Sequence, residues 1–130
     1  MSVNILVVDD SAVMRAMVIK TLKLAETPVG EIYQAANGRE GLDVLQNNWV
    51  DLVFADINMP VMNGEEMIDQ IRTDPAWKEL PIVVISTEGS KTRIDSLHKK
   101  GAEFVHKPFT PEIIRTLLEE MLGIDHGQHA

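Results

Sequence analysis

Residues able to do chemistry stand where apolar runs end. Asn4-Ile5-Leu6-Val7-Val8 stops at Asp9-Asp10, the nearly unbroken run from Val50 to Ala55 stops at Asp56, and Glu103-Phe104-Val105 leads through His106 to Lys107-Pro108. A further run, Leu80 to Ile85, ends on the hydroxyls Ser86-Thr87. Carboxylates gathered at one place repel one another, so such a group must raise a pKa or hold a cation. All-oxygen donors suit Mg²⁺, which uses a few carboxylates and waters and completes its octahedron with a phosphate. An ammonium and a hydroxyl on the opposite side would grip the remaining phosphoryl oxygens. Asp56 is then the natural nucleophile, and its attack on phosphorus gives an acyl phosphate.

That chemistry needs elements that bring distant residues together. Short apolar runs bounded by turn residues read as strands buried on both faces, as in the middle of a parallel sheet. After the first, Ser11 caps a helix whose Met14, Met17, Val18, Thr21 and Leu22 share a face and should pack on the sheet, with Pro28 and Gly30 closing it. Glu31 to Ala35 is a more polar strand suited to an edge. Asn37-Gly38 opens a helix with Leu42 and Leu45 on one side, ending near Asn47-Asn48. Beyond Asp56, Met59-Pro60 and Asn63-Gly64 end the strand and start a helix with Glu65 and Glu66 in its first turn and Met67, Ile68 and Ile71 buried. Asp74-Pro75 stops it, and Trp77 should cover a hydrophobic edge.

The helix from about Ser90 to Lys100 is poorly amphipathic, with Ile94 and Leu97 as anchors, and should be the least tightly packed; Gly101 suits a left-handed C-terminal position. Thr110-Pro111 supplies a cap and a first-turn proline for a last helix carrying Ile113, Ile114, Leu117, Leu118, Met121 and Leu122, which Gly123 ends. Five strands thus alternate with five helices. The expected architecture is α/β, a flavodoxin-like, doubly wound, five-stranded parallel sheet of order 2-1-3-4-5. That order makes the first and third strands neighbours at the topological switch point, where Asp9, Asp10 and Asp56 converge.

Composition bounds the rest. The chain of 130 residues suits one domain, expected at 1–124, with a frayed tail over 125–130. Absence of cysteine excludes disulfides and thiol chemistry, and no apolar run reaches membrane-spanning length, so a cytoplasmic protein is expected. A net charge of −8 argues against direct nucleic-acid binding. The basic face from Lys91 to Lys100 is either a solvated surface or a dock for an acidic partner. His98 and His106 have no companion at metal spacing and read as structural, and His126 and His129 fall in the tail.

From Val3 to Gly123 these motifs resemble the receiver domain of two-component response regulators, and within it the stand-alone, CheY-like members of bacteria and archaea. The resemblance implies that Asp56 accepts phosphate from a sensor histidine kinase or phosphotransfer protein. It implies Mg²⁺ held by Asp10 and Asp56, by Asp9 largely through water, and by the main-chain carbonyl of Asn58. Lys107 would pair with the phosphoryl group and Ser86 would act as the switch hydroxyl, in place of the frequent Thr, with Thr87 beside it leaving the choice of hydroxyl open. Phe104 takes the switch-aromatic position of a frequent Tyr, so a phenolic hydrogen bond is lost while ring burial remains available. Asn58 and Glu88 take positions that tune phosphate lifetime. Output would pass through the face of the fourth helix, fifth strand and fifth helix to an unidentified protein, from a monomer or weak dimer. The stand-alone size points to chemotaxis.

The residues therefore predict a phosphorylation-dependent switch and not a turnover enzyme. An aspartate-nucleophile phosphatase is the enzymatic rival, but it needs an acid two residues after the nucleophile, where Asn58 stands. A flavin carrier would need a glycine- and hydroxyl-rich phosphate loop in place of Asp9-Asp10-Ser11. A receiver that signals without phosphorylation is the remaining alternative.

Overall fold

A computed structural model describes residues 2–87 and 90–123; the expectations for Glu88 and for the tail at 125–130 lie outside the described residues. Strands β1 (Val3–Val8), β2 (Val29–Ala35), β3 (Leu52–Ala55), β4 (Ile82–Ser86) and β5 (Ala102–His106) alternate with helices α1 (Ala12–Leu24), α2 (Gly38–Asn47), α3 (Gly64–Thr73), α4 (Lys91–Lys99) and α5 (Pro111–Leu122). The strands form one parallel sheet in the order β2-β1-β3-β4-β5, as expected.

Alternation along the central strands explains both cores. Leu6, Val8, Val53, Ala55, Ile82 and Val84 face Leu45 of α2, Met67, Ile68 and Ile71 of α3, and Leu97 of α4. Ile5, Val7, Leu52, Phe54, Val83 and Ile85 face Val18 and Leu22 of α1 and Ile114 and Leu118 of α5. Strands sandwiched in this way need apolar side chains on both faces, and all of β3 and β4 is buried, with Ser86 at the end of β4 the one polar side chain among them. The edge strand β2 mixes exposed and half-buried residues.

Helix starts follow local chemistry. Ser11, Asn37, Asn63, Ser90 and Thr110 each accept an N–H of the first turn. Asn63 and Glu66 complete a reciprocal capping box, which rigidifies the start of α3. Gly101 and Gly123 are left-handed, at φ 80° and 67°. Among the helices α4 buries only Leu97.

Several local expectations need correction. Gly30 does not close α1; β2 begins at Val29, because Asn4 reaches across with its side-chain oxygen to accept the Glu31 N–H and draws Gly30 into the sheet. Met17 is 51% exposed despite its helical spacing, since the sheet contact of α1 is narrow and needs only Val18 and Leu22. Ile113 is likewise 45% exposed at the outer side of α5. Trp77 is half-buried against the α3-side core, as expected.

Candidate functional site

The parallel ladder sets the site directly. Val8 pairs with Ala55, so the next residues emerge side by side at the strand mouths. The Asp9 N–H donates to the Ala35 carbonyl and the Asp56 N–H to the Val8 carbonyl, both at 3.0 Å. These bonds carry the register one step beyond the strands. On the far side, the Lys107 N–H donates to the Ser86 carbonyl at 2.9 Å.

Asp9, Asp10 and Asp56 each bring a carboxylate oxygen into a group lying within 4.8 Å of one another. The Lys107 ammonium lies opposite, 3.9 Å from Asp56 Oδ2 and 4.0 Å from Asp9 Oδ2. Asp56 Oδ1 accepts the N–H of its neighbour Ile57 at 2.8 Å, which leaves Oδ2 directed at Lys107. Asp9 is only 6% exposed, and its Oδ1 accepts the Ser11 N–H at 2.9 Å. Burial raises the Asp9 pKa above 3.8, with the hydrogen bond from Ser11 working against that shift, the Asp56 charge adding to it, Lys107 opposing it and Asp10 adding to it.

The loop above Asp56 is tightly built. Gly64 packs on the Asp56 carbonyl so closely that a methyl group there would collide with the oxygen, and the Gly64 N–H donates to the Ile57 carbonyl at 2.8 Å. Between them the Met62 N–H closes a one-residue turn on the Pro60 carbonyl at 2.6 Å. Val61 at its apex has φ 66°, a left-handed conformation that a β-branched residue adopts at a cost. Its side chain is 83% exposed.

Other expected residues sit as follows. Asn58 is exposed two residues past Asp56. Ser86 is 1% exposed and lies in register with His106, on the sheet face of Ile82 and Val84. Thr87 is exposed and lines a recess with Met14, Met17, Lys107, Pro108 and Phe109. Phe104 pairs with Val84, is half-buried against the α3-side core, and meets the His106 ring edge-on with centroids 4.8 Å apart.

Sequence reasoning missed Arg15. Its guanidinium donates to the Asp9 carbonyl at 2.6 Å and to Gln34 Oε1 at 2.9 Å, tying the acidic loop to β2. A basic residue one helical turn after a cap was the available signal, but its target is on another strand.

The donor set fits a hard divalent ion. Bonds of about 2.1 Å place oxygens about 3 to 4 Å apart around Mg²⁺, so small carboxylate movements would close the shell. The repulsion among the acids and the cost of the buried Asp9 charge are what such an ion relieves.

The family model described as "Response regulator receiver domain" matches residues 5–119. A chemotaxis protein CheY homolog of Campylobacter jejuni is 36% identical over 98% of both chains. A solved structure of chemotaxis protein CheY4 from Vibrio cholerae has a TM-score of 0.81 at 35% identity, covering 93% of this chain and 99% of that one. The receiver domain of a sensor histidine kinase from Pseudomonas aeruginosa, solved with a magnesium ion coordinated in its active site cleft, shares the fold at 18% identity and a TM-score of 0.81, over 95% of this chain and 100% of that one.

Proposed function

The chain belongs to the response regulator receiver domain family, and from that premise we propose that it is a Mg²⁺-dependent switch that takes a phosphoryl group onto Asp56. The observation that carries this reading is the Lys107 ammonium poised 3.9 Å from Asp56 Oδ2, opposite the cluster of Asp9, Asp10 and Asp56. Asp56 Oδ2, left open while Oδ1 accepts the Ile57 N–H, attacks phosphorus as the donor's phosphorus–nitrogen bond breaks; the donor imidazole, already protonated on its other ring nitrogen, takes the electron pair and leaves neutral. Lys107 pairs with the phosphoryl oxygens, and the Ser86 hydroxyl swings toward them. Mg²⁺, held by Asp10, Asp56, Asp9 through water and the Asn58 carbonyl, would offset charge between Asp56 and the incoming group. Asn58 and Glu88 tune how long the acyl phosphate survives, so the chain assists only its own phosphorylation and loss of phosphate.

The donor is a phosphohistidine on a sensor kinase or phosphotransfer protein. Met17, 51% exposed on α1, lines the recess with Met14 and Phe109 and offers the donor an apolar landing beside Lys107. Output passes through the α4-β5-α5 face, where Phe104, Ile113 and Leu117 line an open groove. The names of the relatives support chemotaxis as the pathway. Among the described residues no helix is long and apolar enough to cross a membrane, which agrees with action in the cytoplasm.

Incubation with acetyl phosphate or phosphoramidate plus Mg²⁺ should add the mass of about one phosphoryl group to the intact protein. Chelation and Asp56→Asn should each abolish the gain. A gain that persists in Asp56→Asn would refute the assignment.

A further inference from the structure

Helix α4 is held to the molecule in an unusual way. Only Leu97 of its residues is buried, so apolar packing gives it little purchase. What ties it down is a polar stripe on α3, where Glu65, Asp69 and Arg72 fall on one face at helical spacing. Glu65 Oε1 lies 3.3 Å from Arg93 Nε, and Glu65 Oε2 takes Lys100 Nζ at 3.2 Å and the Ser96 hydroxyl at 3.3 Å. Lys100 Nζ also reaches Asp69 at 3.0 Å. Arg72 closes the far end by donating to the carbonyls of Lys100 at 2.8 Å and Gly101 at 3.1 Å.

Burial works against the charged Lys100 ammonium, yet its hydrogen bonds to Asp69 and Glu65 outweigh this and raise its pKa above 10.5. Both Lys100 and Glu65 are about three-quarters withdrawn from solvent, with side-chain exposures of 27% and 25%, so this network is less screened than the exposed Lys91–Asp95 pair at 89% and 53%.

Glu65 also stands at a particular place in the chain. It follows Gly64, which rests on the Asp56 carbonyl, and the Asn63–Glu66 capping box makes the start of α3 rigid. The start of α3 is therefore coupled to the Asp56 main chain through Gly64, and a displacement of that loop is passed to the Glu65 backbone.

We propose that Glu65 is a positioning residue that latches α4 against α3 and relays the state of Asp56 to α4 by tightening or releasing Arg93, Ser96 and Lys100. The inference rests on the phospho-acceptor reading for its relay half, while its latch half concerns the unmodified protein alone. Without the Glu65 charge, Arg93 and Ser96 lose their partner on α3 and Lys100 keeps only Asp69, so α4 is left with Leu97 as its one buried side chain and with the Arg72 bonds at its C-terminal end, and the helix opens more often.

Hydrogen exchange of the α4 amides in full-length wild type, Glu65→Gln and Asp95→Asn tests both halves, with intact mass recorded on each sample. In the unmodified protein Glu65→Gln should exchange about threefold to tenfold faster in α4, with the sheet amides unchanged, while Asp95→Asn matches wild type. With acetyl phosphate and Mg²⁺ both wild type and Glu65→Gln should gain one phosphoryl mass, α4 exchange should change in wild type, and that change should vanish in Glu65→Gln. Wild-type exchange rates for α4 in Glu65→Gln, or an equal acceleration in Asp95→Asn, overturn the latch. A mass gain with an undiminished α4 response in Glu65→Gln overturns the relay. A wild type that gains no mass overturns the phospho-acceptor reading and the relay with it, and the exchange of the unmodified samples still decides the latch.

Discussion

Replacing Asp9 by Asn should make the metal-free protein more stable, although most substitutions of buried residues do the reverse. Asp9 is 6% exposed and shares its site with the carboxylates of Asp10 and Asp56, with ligand oxygens within 4.8 Å. At an effective dielectric constant of about 20 each such repulsion is worth about 3.5 kcal/mol, and about 0.9 kcal/mol in bulk water. Lys107 at 4.0 Å returns about one repulsion's worth of attraction. Burial is the larger cost to the Asp9 charge and one repulsion is left uncompensated beside it, so Asp9→Asn should gain roughly 1–3 kcal/mol. The amide oxygen of Asn can still accept the Ser11 N–H, and Lys107 keeps Asp56 as a partner. Thermal unfolding in a chelator should therefore show a melting point roughly 3–12 °C higher for the variant. The pH dependence follows from sign: folding raises the Asp9 pKa, so the cost of its charge is complete above the folded pKa and gone below the unfolded value of 3.8. The advantage of the variant should accordingly shrink as pH falls toward 3.8. Millimolar Mg²⁺ should raise the wild type more than the variant, because the ion supplies the missing counter-charge. A variant that melts below wild type in chelator, or an advantage indifferent to both pH and Mg²⁺, would refute the electrostatic reasoning.

Two further outcomes concern the loop over Asp56. Val61→Asn should stabilise the protein by about 1 kcal/mol in urea titrations, because Asn tolerates the left-handed φ of 66° that a β-branched residue resists; a loss of stability would mean the Val61 side chain makes a compensating contact. Gly64→Ala should cost about 3 kcal/mol and slow phosphoryl uptake, since the added methyl must push the Asp56 carbonyl away; an unchanged urea midpoint would show that the loop yields freely.

The strands and caps were legible because their causes are local. A run such as Ile82 to Ile85 is apolar on both faces only if helices cover both faces, and Ser11, Asn37, Asn63, Ser90 and Thr110 cap helices by bonds that span three residues. Met17 was misread because periodicity gives the direction of a helix face but not the width of its contact. Gly30 was misread because the bond that draws it into β2 comes from Asn4, far away in the chain.

At the site, residue types and strand ends alone determined that Asp9, Asp10, Asp56 and Lys107 would meet at one mouth, since parallel strands of the switch-point order must deliver their last residues there. Only the tertiary structure decided how they meet: which oxygen of Asp56 faces Lys107, that Arg15 holds the Asp9 carbonyl, and that Glu65 and Arg72 secure α4. Those contacts join side chains from separate elements, and their geometry depends on how helices seat on the sheet to within a fraction of a turn. Hydrophobic patterning carries no information at that scale, because it records which face is covered and not which polar atoms the covering brings within reach.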